Sequence, residues 1–278
     1  MRIRSVFKHL LAAGLVSLAA VGSASAVPLF WAVNQFATAQ QLNGDTGAVV
    51  QSFALAGGAS IAVVGNIGYW TTLGNANVHT VDMTTHVIGP DAFSTGDSTL
   101  MNGITTDSNG HLWFAHGSSS ALQEFTTAGA LVSTHAFPNA AGAYRDGSVV
   151  FGGFIVANRG DQIGPYDKYA IPGGNGALTY INQPFISQCV GQCGSNGIAF
   201  DGINFYVSNE QVHTVTKFNA AGVFVSVANL DPNSRYENWT FASQDIVPPG
   251  GVVPEPGTLA LLAVGVVALA ARRGKRTK

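Results

Sequence analysis

The chain repeats itself in a way that few architectures can use. Asn102-Gly103-Ile104-Thr105-Thr106-Asp107 passes through a Ser108-Asn109-Gly110 turn into His111-Leu112-Trp113-Phe114-Ala115. Later, Asn196-Gly197-Ile198-Ala199-Phe200-Asp201 passes through Gly202 into Asn204-Phe205-Tyr206-Val207-Ser208. Each unit continues with a third strand, Ala121 to Phe125 or Val212 to Phe218. A turn at Ala128-Gly129 or Ala221-Gly222 then leads into a fourth, from Ala130 or Val223. Four short strands joined by tight turns make one antiparallel blade. Weaker copies surround these two: Ile61 to Val64, a Gly65-Asn66 turn, Gly68 to Thr72 and Val78 to Val81; Ser148 to Ala157; and Leu29 to Val33 followed by the Asn43 to Gly47 turn and Ala48 to Phe53.

Trp31, Trp70 and Trp113 recur at spacings of 39 and 43 residues, close to the period of roughly 40–45 residues of propeller blades. The expected fold is therefore all-β: a β-propeller of five or six four-stranded blades spanning residues 27–247. Trp239 to Val247 is expected to pair with the first blade and close the ring, because an open ring would expose strand edges. A β-sandwich fits the same strand statistics, but repetition favours the ring. The pattern Gly103-Ile104, Asp107, Gly110, Leu112-Trp113 resembles propellers of the NHL, gluconolactonase-like and virginiamycin B lyase-like groups. Asp161 to Gln192 does not follow it.

Both termini read as targeting segments. Arg2, Arg4 and Lys8 precede an apolar run from Leu10 to Val21, and Ala24-Ser25-Ala26 is a small-residue cleavage site, so residues 1–26 form a signal peptide for signal peptidase. At the other end, Pro-rich residues 248–252 act as a linker to a segment spanning 253–278. That segment holds Pro254-Glu255-Pro256, an apolar run from Leu259 to Ala271, and a tail with Arg272, Arg273, Lys275, Arg276 and Lys278. The prolines keep the motif extended. The apolar run would rise roughly 20 Å as a helix, short for a bilayer core of about 30 Å, and the basic tail places the C-terminus in the cytoplasm. Motif, helix and basic tail in this order closely resemble the PEP-CTERM signal of Gram-negative bacteria. That resemblance implies cleavage by an exosortase-type membrane peptidase, a transient stay in the inner membrane, and release to the periplasm or cell surface.

Charge agrees with export. Of 13 basic residues, three lie in the signal peptide and five in the tail, leaving five against all 15 acidic residues, a net charge of −10 for the exterior part from residue 27 through Glu255. Such a domain repels nucleic acid.

The candidate chemistry is sparse. Cys189 and Cys193 are the only cysteines and are expected to form a small disulfide in an oxidising compartment. Zinc would want two further ligands. His79 and His213 share a Val-His-Thr-Val frame and read as equivalent third-strand positions, decorating outer strands rather than a metal-binding channel. The resemblance to lactonase-like propellers directs attention to Asn196, Asp201, Asn209 and Glu210 as ligands for a divalent cation such as calcium, which takes oxygen donors. Asp107 and Asp201, however, precede glycine-containing turns, where an Asp side chain bonds nearby backbone. For a lyase of the virginiamycin type, His116 and Glu124 are the nearest acid and base. No catalytic residue is assigned, since no nucleophile elbow, phosphate loop or zinc-protease helix occurs in the sequence. The expected function is that of a binding or structural component associated with extracellular polysaccharide or biofilm matrix, as the sorting resemblance implies. The alternative is a periplasmic metal-dependent hydrolase or lyase on the same scaffold.

Overall fold

The computed structural model describes residues 27–34, 37–97, 101–116, 121–138, 147–158, 165–187, 197–209, 212–233 and 236–240. Among the described residues, twenty strands form five four-stranded antiparallel sheets. Blade 1 contains β1 (Leu29–Asn34), β2 (Thr38–Asn43) and β3 (Val49–Ala54). Blade 2 is β4 (Gly58–Val64), β5 (Ile67–Thr72), β6 (Asn77–Asp82) and β7 (Ile88–Ser94). Blade 3 is β8 (Met101–Thr106), β9 (Leu112–His116), β10 (Ala121–Phe125) and β11 (Leu131–Ala136). Blade 4 is β12 (Ser148–Phe151), β13 (Phe154–Asn158), β14 (Tyr166–Ala170) and β15 (Thr179–Ile186). Blade 5 is β16 (Ile198–Phe200), β17 (Asn204–Asn209), β18 (Thr214–Asn219) and β19 (Phe224–Asn229).

The ring closes between the two ends of the domain. β20 (Tyr236–Thr240) returns to pair with β1, as the innermost strand of blade 1. It begins three residues before the expected closing strand, at Tyr236, whose side chain is buried. The antiparallel register brings Thr240 opposite Trp31. The innermost strands β4, β8, β12, β16 and β20 lie against one another around the axis. On that axis, Ser60 on β4 accepts a hydrogen bond from the Ile104 amide on β8 (3.2 Å).

Five apolar clusters fill the spaces between neighbouring blades, one per interface. Trp31 and Val33 meet Ile61 and Trp70 between blades 1 and 2. Tyr69 meets Ile104 and Phe114 between blades 2 and 3, and Trp113 meets Ile155 and Tyr169 between blades 3 and 4. Val156 and Tyr166 meet Phe205 and Phe218 between blades 4 and 5. Tyr206 meets Phe30 and Leu42 between blades 5 and 1. Among the described residues no cluster is internal to a blade, because each sheet has two apolar faces and must bury both.

This arrangement corrects the expected equivalence of the tryptophans. Trp31 and Trp113 face the following blade, and the matching residue of blade 2 is Tyr69. Trp70, one position on, points back toward blade 1, since side chains alternate along a strand. Phe205 is likewise displaced by one from Tyr206. Asp161 to Gln192, which carries no recognisable repeat, contains the outer half of blade 4. There β14 and β15 pair with two register shifts, and Pro184 interrupts the outer strand, so alternation is lost.

The turn joining the third and fourth strands of each blade docks on the outer strand of the preceding blade. Gly47, Gly129 and Gly222 occupy left-handed positions with φ of 73°, 85° and 76°. A Cβ there would meet the Asn229 carbonyl oxygen, the Phe93 Cβ and the Phe185 carbonyl oxygen at 2.3, 2.5 and 2.4 Å. In blade 2 the left-handed position belongs to His86, φ 58°, whose ring stacks on Phe53 of blade 1 at 4.5 Å. In blade 4 the turn is longer: Asn175 Oδ1 accepts the Thr134 amide (2.8 Å), and the Gly176 amide donates to the Thr134 carbonyl (3.3 Å).

Candidate functional site

The densest group of titratable side chains among the described residues sits on blade 3, facing blade 4. It grows from the turn at Asp107. Asp107 Oδ1 accepts the amides of Asn109 (2.9 Å) and His111 (3.0 Å), closing the turn between β8 and β9. Its Oδ2 accepts the Trp113 indole N–H (3.1 Å). The ladder pairs Trp113 with Glu124 on β10, and Glu124 with Ser133 on β11. Glu124 therefore lies between two polar neighbours: His111 Nδ1 contacts its Oε1 at 2.6 Å, and the Ser133 hydroxyl donates to its Oε2 at 2.6 Å. Ser133 also lies 3.0 Å from His135 Nε2. His135 Nδ1 faces the Gly176 carbonyl of blade 4 at 3.1 Å, and its ring stacks on Trp113 at 5.9 Å between centroids.

Two kinds of chemistry are conceivable here. Asp107, His111 and Glu124 present one ligand atom each within 4.8 Å of one another, at a partly exposed position. One imidazole and two carboxylates suit a zinc-type ion better than calcium. Ser133, His135 and Glu124 contain the residue types of a nucleophilic triad, but in the wrong order. The carboxylate holds the serine rather than His135 Nδ1, so it does not orient the base. Ser133 and His135 are also 3% and 1% exposed, closed to any substrate. The network is a pin between blades 3 and 4.

Burial holds His135 below the usual histidine pKa, outweighing the opposing pull of the Gly176 carbonyl and the Glu124 charge. Protonation of a neutral buried imidazole opposes folding. The unfolded chain takes up this proton near pH 6.5. The folded chain does so only at lower pH, so stability is fully present above about pH 6.5 and falls as pH drops toward the folded-state pKa. Urea titrations at pH 7.5 and 5.5 should show a smaller acid loss for His135→Gln than for the native chain. The difference should be at most about 1.4 kcal/mol per pH unit. Equal losses in the two proteins would remove His135 from the acid response.

Blade 5 carries a related Asp turn, one residue shorter, without the network. Asp201 Oδ1 accepts the amides of Ile203 (2.7 Å) and Asn204 (2.6 Å), and its Oδ2 accepts the Tyr206 hydroxyl (2.8 Å). Burial, with the bond to Asp201 second, pushes the Tyr206 pKa upward, so the phenol remains a donor. Lys217 takes the position of Glu124, lies over the Tyr206 ring, and pairs with Asp45 of blade 1 at 2.7 Å.

Asp201 and Asn209 are not brought together. They lie beyond and at opposite ends of β17, about 16 Å or more apart by strand rise. Asn209 is buried, and its Oδ1 accepts the Val212 amide (3.3 Å). His79 and His213 are not equivalent either. His79 lies on β6, opposite Trp70, and contacts Asp91, whereas His213 precedes β18 in a left-handed turn, φ 49°. Glu237 lies on β20 and His116 ends β9. Asn196, Glu210, Asp245, Cys189, Cys193, Ala24, Ala26, Pro254, Glu255 and Pro256 lie outside the described residues. Ser133 and His135 were not legible as site residues; the one available signal is the polar run Ser133-Thr134-His135 in the outer strand.

Residues 252–276 match the PEP-CTERM protein-sorting motif. No curated protein matches the chain in sequence. Among solved structures, one described as a nidogen/laminin complex is similar over 77% of this chain and 97% of that one, with 12% identity and a TM-score of 0.52. A streptogramin B lyase is similar over 78% of this chain and 70% of its own, with 16% identity and a TM-score of 0.46. Virginiamycin B lyase from Staphylococcus aureus covers 76% of each chain, with 9% identity and a TM-score of 0.46. These are likenesses of fold. The sorting motif marks an exported protein, directed to the cell envelope or surface and processed by an exosortase, a membrane peptidase. The C-terminal region fits a terminal transmembrane segment.

Proposed function

We propose that the chain delivers a closed five-blade propeller to the cell exterior, where it serves as a binding or structural component of extracellular polysaccharide or biofilm matrix. The observation that carries this reading is the sorting motif at residues 252–276, attached to a complete ring. The net charge of −10 from residue 27 through Glu255 suits a soluble, exterior domain that makes no use of anionic surfaces. The test is fractionation of producing cells into membrane, soluble and polysaccharide fractions. The processed domain should sediment with the polysaccharide and be freed by enzymes that degrade it. Quantitative recovery in the soluble medium would contradict a matrix role.

A metal-dependent hydrolase or lyase is the second reading, favoured by one observation: the Asp107, His111 and Glu124 donors converge within 4.8 Å. Calorimetric titration with zinc and calcium separates the two readings. The enzyme reading requires saturable binding that is lost in Glu124→Gln. The matrix reading requires none.

A further inference from the structure

Two lysines occupy matching places in neighbouring seams. Lys217 on β18 lies opposite Tyr206, facing blade 1, and Lys168 on β14 lies opposite Val156, facing blade 5. Each ammonium rests on aromatic rings. That of Lys217 is 5.4 Å from the Tyr206 centroid. That of Lys168 is 4.5 Å from Phe154, 5.2 Å from Phe185 and 5.3 Å from Phe151. Their counterions differ. The blade 1 turn that docks on blade 5 brings Asp45 to 2.7 Å from Lys217. The blade 5 turn that docks on blade 4 is Asn219-Ala220-Ala221-Gly222 and contains no acid. The two turns close alike: Asn43 Oδ1 accepts the Asp45 amide and Asn219 Oδ1 accepts the Ala221 amide, so Ala221 stands where Asp45 does. Among the described residues the Lys168 ammonium meets rings and no carboxylate.

The seam around Lys168 is partly open. Phe151, Phe154, Lys168 and Phe200 are all partly exposed, whereas Phe205 and Phe218 of the same cluster are buried. Phe200 of blade 5 lies 4.5 Å from Phe151 between ring centroids, and Ile203 is 70% exposed. A Cβ built on Gly152, Gly153 or Gly202 would meet nothing within 4 Å, so the turns that flank these rings stand clear of other groups. Rings beside the ammonium displace water and lower the local dielectric, which strengthens its attraction for an anion. The net charge of −10 from residue 27 through Glu255 limits what that anion is. A polyanion is repelled by the domain as a whole, while a single charge answers to the ammonium inside a screening length of about 8 Å.

We propose that the seam between blades 4 and 5 is a binding site for a small monocarboxylate with a flat apolar face. Its carboxylate pairs with Lys168 as Asp45 pairs with Lys217, and its ring lies on Phe151, Phe154 and Phe200. The aromatic side chains supply contact area at low entropic cost, and the ammonium fixes the orientation of the ligand. An aromatic acid and a single uronic acid sugar both carry this chemistry. The site goes beyond the matrix reading and does not depend on it, since it takes one small acid whatever larger partner the domain has.

The test is titration of the processed, exported protein with phenylacetate and with glucuronate, followed by calorimetry and ligand-observed NMR. Acetate, which lacks the ring, and 2-phenylethanol, which lacks the charge, serve as controls. At least one of the two ring acids should bind saturably, at least tenfold more tightly than either control, and the one that binds identifies the source. Lys168→Gln should weaken that binding at least tenfold, and Lys217→Gln should leave it unchanged. Ala221→Asp supplies from within the chain the carboxylate that the ligand brings, at an exposed position, and should weaken binding to the same degree. Thermal melts separate loss of binding from loss of folding. If Lys168→Gln melts early, Ala221→Asp decides alone. No saturable binding of either acid, a control bound as tightly, unchanged binding in the folded variants, or an equal loss in folded Lys217→Gln would each overturn the proposal.

Discussion

Gly222→Ala should destabilise the propeller by about 3 kcal/mol, whereas Gly152→Ala should cost about 1 kcal/mol. Both glycines adopt left-handed backbone, with φ of 76° and 53°, so both substitutions carry the conformational penalty of a Cβ in that region. Only Gly222 adds a collision. Its Cβ would lie 2.4 Å from the Phe185 carbonyl oxygen and 3.3 Å from the carbonyl carbon, while nothing lies within 4 Å of Gly152. The Phe185 atoms are backbone of blade 4, so relief requires the two blades to part. That separation opens the cluster in which Phe185 packs with Phe205 and Phe218. For a domain of this size the larger effect corresponds to a fall of roughly 6–12 °C in Tm. Thermal melts and urea titrations of the two variants measure it. Equal losses would show that the turn does not bear on the neighbouring blade. His86 shows why the position tolerates a side chain in blade 2, where the ring lies flat on Phe53 instead of pointing into backbone.

Much of this ring was legible in the sequence, and the illegible parts have physical causes. The two Asp-to-glycine turns identified blades 3 and 5 because the same carboxylate does two local jobs there. It closes the turn with one oxygen and receives an aromatic donor, Trp113 or Tyr206, with the other. Turn chemistry depends on neighbours in sequence, so it can be read from sequence. Only the inner strand pair of blade 4, Ser148 to Ala157, was legible, and weakly, because Phe151 and Phe154 turn through Gly152-Gly153 with no Asp; its outer strands are bulged and carry no repeat. Facing was the harder inference. Tryptophan spacing located the second strand of blade 2 but not its phase, and a one-residue offset sends Trp70 to the other interface. The shared string around His79 and His213 misled for a similar reason: strand register is set by pairing, and β6 and β18 pair with different offsets. The Glu124, Ser133 and His135 network joins residues from two strands to the Gly176 carbonyl, 41 positions beyond His135, and no local pattern announces that contact.

The largest expected effect belongs to the tail. A membrane-embedded peptidase needs an extended substrate at the outer interface, and Pro254 and Pro256 exclude helix there. The apolar run from Leu259 to Ala271 and the five basic residues after it stop transfer and hold the motif at that depth. Glu255→Ala and Pro256→Ala should therefore abolish processing while leaving the propeller unchanged, because the motif lies beyond β20. The direct measurement is intact mass with fractionation, in a host that carries the cognate peptidase. The native chain should leave the membrane fraction shortened by roughly 2–2.5 kDa, the approximate mass of a helix and tail of ordinary residue lengths. Both variants should remain in the membrane at the unshortened mass. A native chain that keeps Lys278 and stays in the membrane alongside its variants would contradict the account, leaving the tail an anchor and nothing more.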